Sequence, residues 1–221
     1  MAPQMTATDP ERVLALSYAP LAARVGLEAL FALDATLAAI VRTTREPIVG
    51  QMRLTWWYET LGKLDSAPPP AEPVLQALFA SVIPAGVSGS ELALMTEGWE
   101  ALLASDLDAA AIDRFGIDRG GRLFSAAAAV LNVQDPRIAR AGQGWALADL
   151  SDRLTDTAAR ELARSSAVTL LDAALRGRWP ARARALGAMA LSARSNIATT
   201  PTRQASPKRV GRLLLHRLTG Y

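Results

Sequence analysis

The sequence predicts an all-α fold: a single helical bundle with a short basic helix at its C-terminal end. Three observations carry that reading. Half of the residues are hydrophobic and only 5% are aromatic, with Ala and Leu prominent, and these two lose least on entering a helix. Apolar residues recur three and four apart along most of the chain, and no run alternates as a strand would. Proline and glycine fall at helix-length intervals, where helices start and stop.

The elements follow in order. Asp9 and Pro10 read as an N-cap and first helical residue leading into "ERVLALSYA". Pro20 restarts the chain into "LAARVGLEALFALDATLAAIVR", where Val25, Leu27, Leu30, Phe31, Leu33, Leu37 and Ile40 build a wide apolar face. Thr43 and Glu46 stand at capping-box spacing, with Pro47 in the first turn of a helix running to about Leu64. "DSAPPPAEP" is a rigid surface loop. Further helices are predicted over 73–83, 88–104, 108–132, 136–154, 157–176 and 181–196. "ATTPTRQASP" then reads as a linker to a last short helix, "KRVGRLLLHRL". The division is a helical domain over 1–197 and a linker with a basic amphipathic tail over 198–221.

Composition excludes several chemistries. Without cysteine there is no disulfide, no thiolate metal site and no Cys nucleophile. With His216 as the single histidine, a His-ligated zinc centre or a Ser-His-Asp triad is not expected. "MAPQMTATDPERV" has no basic stretch followed by an apolar run, so no signal peptide is expected. The most apolar stretch, around 74–90, is cut by Pro84, Gly86 and Gly89, so no membrane span is expected either and a cytoplasmic chain is.

Charge is divided unevenly. Up to Asp172 the chain holds 14 basic and 21 acidic residues, a net −7; the last 49 residues hold ten basic and no acidic ones, +10. A basic tail on an acidic body calls for an anionic partner: lipid headgroups, an acidic protein or nucleic acid. Nucleic acid ranks last, since only Trp179 and Tyr221 could stack on bases in that region.

Some residues ask for an explanation. Trp56 and Trp57 are adjacent on a helix, about 100° apart, so each needs its own apolar surface. They serve either as core filler or as the wall of a ligand cavity. Asp34, within "ALFALDATLAAI", is an acid among apolar neighbours and wants a partner. Arg53 either binds an anion or lays its stem on Trp57 one turn away. Asp149, Asp152 and Asp156 fall at spacings that share a helix face, where they hold a cation or pair with Arg153 and Arg160.

Residues 31–61, "FALDATLAAIVRTTREPIVGQMRLTWWYETL", resemble the N-terminal signature of the squalene/phytoene synthase family: an Asp on one helix, then a Pro-x-x-Gly helix with Arg-Leu-x-Trp-Trp. Here these are Asp34, Pro47, Gly50, Arg53, Leu54, Trp56 and Trp57. Weaker echoes stand at "EGWEALL" (97–103), "GGRLFSAAAAVLNV" (120–133) and "AGQGWALADLSDRL" (141–154). The resemblance implies the isoprenoid synthase fold, helices around a central cavity, with Asp34, Arg53, Trp56, Trp57, Glu97 and Asp149 as candidate cavity and ligand-binding residues. It also implies head-to-head joining of prenyl diphosphates with Mg²⁺ held by Asp-x-x-x-Asp motifs. The chain departs from that pattern at Ala38, Leu102, Arg153 and Thr157, where acids are wanted.

Two functions follow. In the first, the protein resembles the branch of the family that has lost its Asp motifs and serves as an assembly factor of respiratory complex I. It is then non-catalytic, needs no cofactor, and lies on the inner face of a membrane as a peripheral interaction factor. In the second, it is a prenyl diphosphate transferase with a reduced site, the only case calling for Mg²⁺, or a binder of a prenyl lipid. The tail fits the first: on a helix Val210, Leu213, Leu214 and Leu218 lie together, with Lys208, Arg209, Arg212 and Arg217 around them. Such a segment binds an anionic membrane surface or docks on an acidic protein surface, its own body included.

Overall fold

The computed structural model describes residues 10–44, 46–103, 107–198 and 207–221; the N-cap expected at Asp9 and most of the expected linker lie outside them. Among the described residues twelve α-helices run in chain order: α1 (Pro10–Leu16), α2 (Leu21–Thr43), α3 (Pro47–Gly62), α4 (Pro73–Ser81), α5 (Gly89–Ala93), α6 (Met95–Glu100), α7 (Ala109–Arg114), α8 (Arg122–Val130), α9 (Pro136–Ser151), α10 (Thr157–Ala174), α11 (Arg184–Ala198) and α12 (Pro207–Thr219). No strand occurs among the described residues, so the protein is all-α.

Helix boundaries follow local chemistry. Asp108, Asp135 and Asp156 each accept a backbone N–H from the first turn of α7, α9 and α10, the preferred way to satisfy an orphan donor. Ser88 and Glu91 close a reciprocal capping box at the start of α5. The box expected at Thr43 and Glu46 does not form. Thr43 is the last residue of α2 and its hydroxyl donates back to Ala39 O at 2.7 Å. Glu46, next to Pro47, is extended, because the proline ring disfavours a helical conformation at the residue before it, so it cannot be the third helical residue that a box with Thr43 requires.

Two predicted helices are broken. The 88–104 segment divides at Leu94 into α5 and α6 and ends in a 3₁₀ turn over Ala101–Leu103. The 108–132 segment carries a π-helical stretch, Phe115–Gly121, between α7 and α8. Such insertions displace the helical phase of every residue that follows.

Helix α9 is the hub, packed against α8, α10, α11 and the π-helical stretch. The approach is closest at Gly120 and Gly142. A Cβ on Gly120 would stand 2.0 Å from Gly142 O, and one on Gly142 would stand 2.1 Å from Gly120 O, so glycine is required on both sides. Small side chains set the next spacing: Ala163, Ala167 and Ala174 of α10 and Ala185, Ala188 and Ala190 of α11 are all fully buried, which lets helix backbones come together without voids.

Candidate functional site

The centre of the bundle is built on charge. Asp34 of α2, Arg119 of the π-helical stretch and Asp149 of α9 converge from elements far apart in sequence. Arg119 donates through Nε and Nη2 to the two oxygens of Asp34, at 2.8 and 3.0 Å, a bidentate fork. Its Nη1 donates to Asp149 at 2.5 Å. The other oxygen of Asp149 accepts from Nε and Nη2 of Arg153, at 3.1 and 2.8 Å. Aromatic rings wall the Arg119 guanidinium, with Trp99, Trp145 and Phe115 centroids 4.4, 4.8 and 5.2 Å from its carbon.

Two arginines therefore face two aspartates, and the cluster is neutral. Burial pulls the Arg119 pKa down, but Asp34 and Asp149 outweigh it and hold the guanidinium above arginine's ordinary value. Burial likewise pushes Asp149 up, and Arg119 with Arg153 overcomes it, leaving that carboxyl below the usual range. Asp152 goes the other way, raised by burial and by the charge on Asp149.

The remaining candidates from the sequence stand elsewhere. Trp57 is 6% exposed and belongs to the core, whereas Trp56 is 46% exposed, its ring set edge-on to Trp57. Trp56 joins Met52 and Ile48, one and two turns earlier, in an exposed row on the outer side of α3. Arg53 is exposed, with Nη1 3.3 Å from Thr44 Oγ1. Glu97 is exposed on α6. Asp149 alone joins Asp34. Asp156 caps α10 and Arg160 donates to Leu154 O and Thr155 O, so the three acids at 149, 152 and 156 do not share one helix.

Arg119, the residue that organises the centre, is not among the sequence candidates. Its signal was present: it stands four residues from both Phe115 and Leu123, a cation in an apolar row. Asp34 is the matching acid in an apolar row, and each buried charge implies the other.

A second constellation lies at the C-terminal flank. Helix α12 is seated on α11, with Leu213 and His216 buried. His216 Nδ1 donates to Tyr221 O at 3.2 Å, and burial lowers the imidazole pKa. A Cβ on Gly187 would stand 2.4 Å from His216 Nε2, so α11 offers glycine where the ring lies. The C-terminus of α12 is clamped. Arg184 donates to Arg217 O and Leu218 O, Arg178 to Thr219 O, and Trp179 N–H to Gly220 O. Cationic donors on terminal carbonyls are the favourable sense of the helix dipole. Arg209 pairs with Asn196 and Arg217 lies over the Tyr18 ring.

The four apolar tail residues do not act together. Leu213 turns inward at 3% exposure, while Val210, Leu214 and Leu218 are exposed, Leu218 at 75%, and Leu215 is exposed beside them. The side chain of Lys208 lies outside the described ones. No helix among the described residues is long and apolar enough to cross a membrane.

Comparison with protein-family models, with curated proteins and with solved structures returned no match. What fold and site define is an all-α bundle with a neutral Asp–Arg–Asp–Arg cluster that runs from the buried Asp34 and Arg119 out to the exposed Arg153, and a clamped basic helix on its flank.

Proposed function

We propose that the protein is a squalene/phytoene synthase-like bundle without catalysis that works as a peripheral interaction or assembly factor, held by α12 on an anionic membrane surface at the cytoplasmic face. One observation carries this reading: α12 is fixed to the body by one face and presents Val210, Leu214, Leu215 and Leu218 outward from another. Spaced four, five and eight residues from Val210, these aliphatic side chains share one exposed face of α12, and a contiguous apolar face of that kind supports an interaction surface. Arg212 is exposed on the same helix, and each basic group near an anionic leaflet contributes about 1 kcal/mol.

The centre supports the absence of prenyl diphosphate chemistry. Both acids that could have held Mg²⁺ are committed to guanidinium groups, and Arg119 occupies the space between them. Ala38 and Leu102 have no side-chain oxygen and Thr157 has a neutral hydroxyl in place of a carboxylate, so none adds the anionic oxygen ligand that a diphosphate-bound cation requires. The residues present do not fit a Mg²⁺ cluster.

Vesicle co-sedimentation tests the membrane reading. Wild-type protein is expected to bind vesicles containing phosphatidylserine and to release as salt rises. Leu214→Asp with Leu218→Asp, both on exposed positions, should abolish binding without changing helical content. Binding unchanged by that pair would refute the reading. Mg²⁺-dependent release of pyrophosphate from farnesyl or geranylgeranyl diphosphate would refute the non-catalytic part and favour a transferase with a reduced site.

A further inference from the structure

Beside the outward row of α12 lies a cleft of about 330 Å³ between the end of α10, α11 and α12, within the range of small-ligand sites. Its charge is one-sided. Arg176, Arg194 and Arg212 line it, and Asp172 is the single acid. Arg194 spends its charge on Asp172, with Nε and Nη2 at 2.6 and 3.2 Å from the two carboxylate oxygens. Arg176 and Arg212 are both exposed, and among the described residues neither guanidinium has a carboxylate partner. His216, also in the wall, is kept neutral by burial and adds no opposing charge. The floor includes Trp179, whose buried indole N–H has no partner, a donor left unpaired in a region where unpaired donors are costly.

We propose that this cleft binds a phosphate-bearing dianion, with Arg176 and Arg212 as the paired guanidinium donors and the ion pair of Arg194 with Asp172 fixing the wall between them. Three guanidinium groups against one carboxylate leave the wall net positive, which suits a phosphomonoester, and the donors of Arg176 and Arg212 present planar forks to its oxygens. The volume exceeds that of a bare phosphate and leaves room for the group esterified to it. Because α12 supplies both Arg212 and the outward leucines, a phosphomonoester headgroup in the cleft would lie beside the apolar row. That source rests on the membrane reading given above; a soluble phosphate ester is the other source of the same chemistry.

The test uses the full chain. Equilibrium dialysis with inorganic phosphate should give saturable binding, and Arg176→Gln with Arg212→Gln should weaken it by about tenfold or more, the loss expected for one or two charge-assisted hydrogen bonds. Neither guanidinium makes a side-chain ion pair among the described residues, and Arg176 acts on the exposed Asp172 only through its charge, so thermal unfolding of the double variant should stay close to wild type. In a second arm, phosphatidylcholine vesicles carry phosphatidic acid or, at equal surface charge, phosphatidylserine. Preference for phosphatidic acid, lost in the double variant, assigns the cleft to a lipid headgroup. Phosphate binding lost in the variant with no headgroup preference assigns it to a soluble ester. Phosphate binding that is absent, or unchanged in the double variant, overturns the proposal even where vesicles still bind and the membrane reading stands. Loss of vesicle binding alone removes that reading and leaves the cleft.

Discussion

The centre and the C-terminal flank of this protein both gather arginines, to opposite ends. At the centre, Arg119 is enclosed by two aspartates and three aromatic rings and has nothing left to offer a ligand. At the flank, Arg178 and Arg184 are spent on backbone carbonyls of α12 while Arg176 and Arg212 are left over around an open cleft. The difference is one of accounting in donors and acceptors. A buried guanidinium must be matched in full or it unfolds the site, whereas an exposed one is hydrated and remains available to a partner.

The largest test of that contrast is Arg119→Met. It leaves Asp34 buried without a counter-charge, and unfolding in urea should show a loss of roughly 3–5 kcal/mol. Asp34→Asn in the same chain should recover part of it, and additive losses would mean that the two do not act as a pair. Removal of a flank arginine such as Arg212 should stay within about 0.5 kcal/mol.

Gly187→Ala strikes the flank. The added methyl meets His216 and Trp179, and a cost of about 1–3 kcal/mol is expected, expressed as faster amide exchange and proteolysis in α12 with the α2–α9 contacts unchanged. Uniform loss of protection across the chain would show that α12 and the centre unfold as one unit.

Acidification should separate the regions by pH. The folded-state pKa of His216 lies below its ordinary 6.5, so the seat of α12 is stabilised above pH 6.5 and that contribution is lost as pH falls from there through the folded value. Asp149 is also depressed, but from a carboxylate's ordinary value of 3.8, so the centre keeps its contribution until far more acid conditions. Tail exchange should rise first, in weakly acidic buffer; a variant His216→Gln should flatten that step. Simultaneous loss at both regions would break the comparison.

A small effect is also expected at Trp56. Its ring lies on the outer row of α3, so Trp56→Ala should cost well under the roughly 3–5 kcal/mol expected for Trp57→Ala in the core. Equal costs in thermal unfolding would mean that the pair acts as one packing unit.

Much of this was legible in the chain. Helix ends are written locally: Asp108, Asp135 and Asp156 can cap because a short acceptor reaches the first-turn N–H groups whatever the rest of the fold does. The need of Asp34 for a partner was legible for the same reason, since a charge in an apolar row is costly wherever that row is buried. Its partner was not. A regular 3.6-residue period assigns one phase to 108–132, and the π-helical stretch at Phe115–Gly121 changes it, so which side Arg119 takes depends on the close crossing of Gly120 and Gly142. The tail shows the same division. Sequence alone determined that α12 would be basic and amphipathic; tertiary structure decided that Leu213 and His216 turn inward while Leu214 and Leu218 turn outward. Composition and spacing set which side chains share a helix, but the rotation of that helix is set by the surface it meets, here the glycine of α11 under His216 and the arginines that hold its final carbonyls.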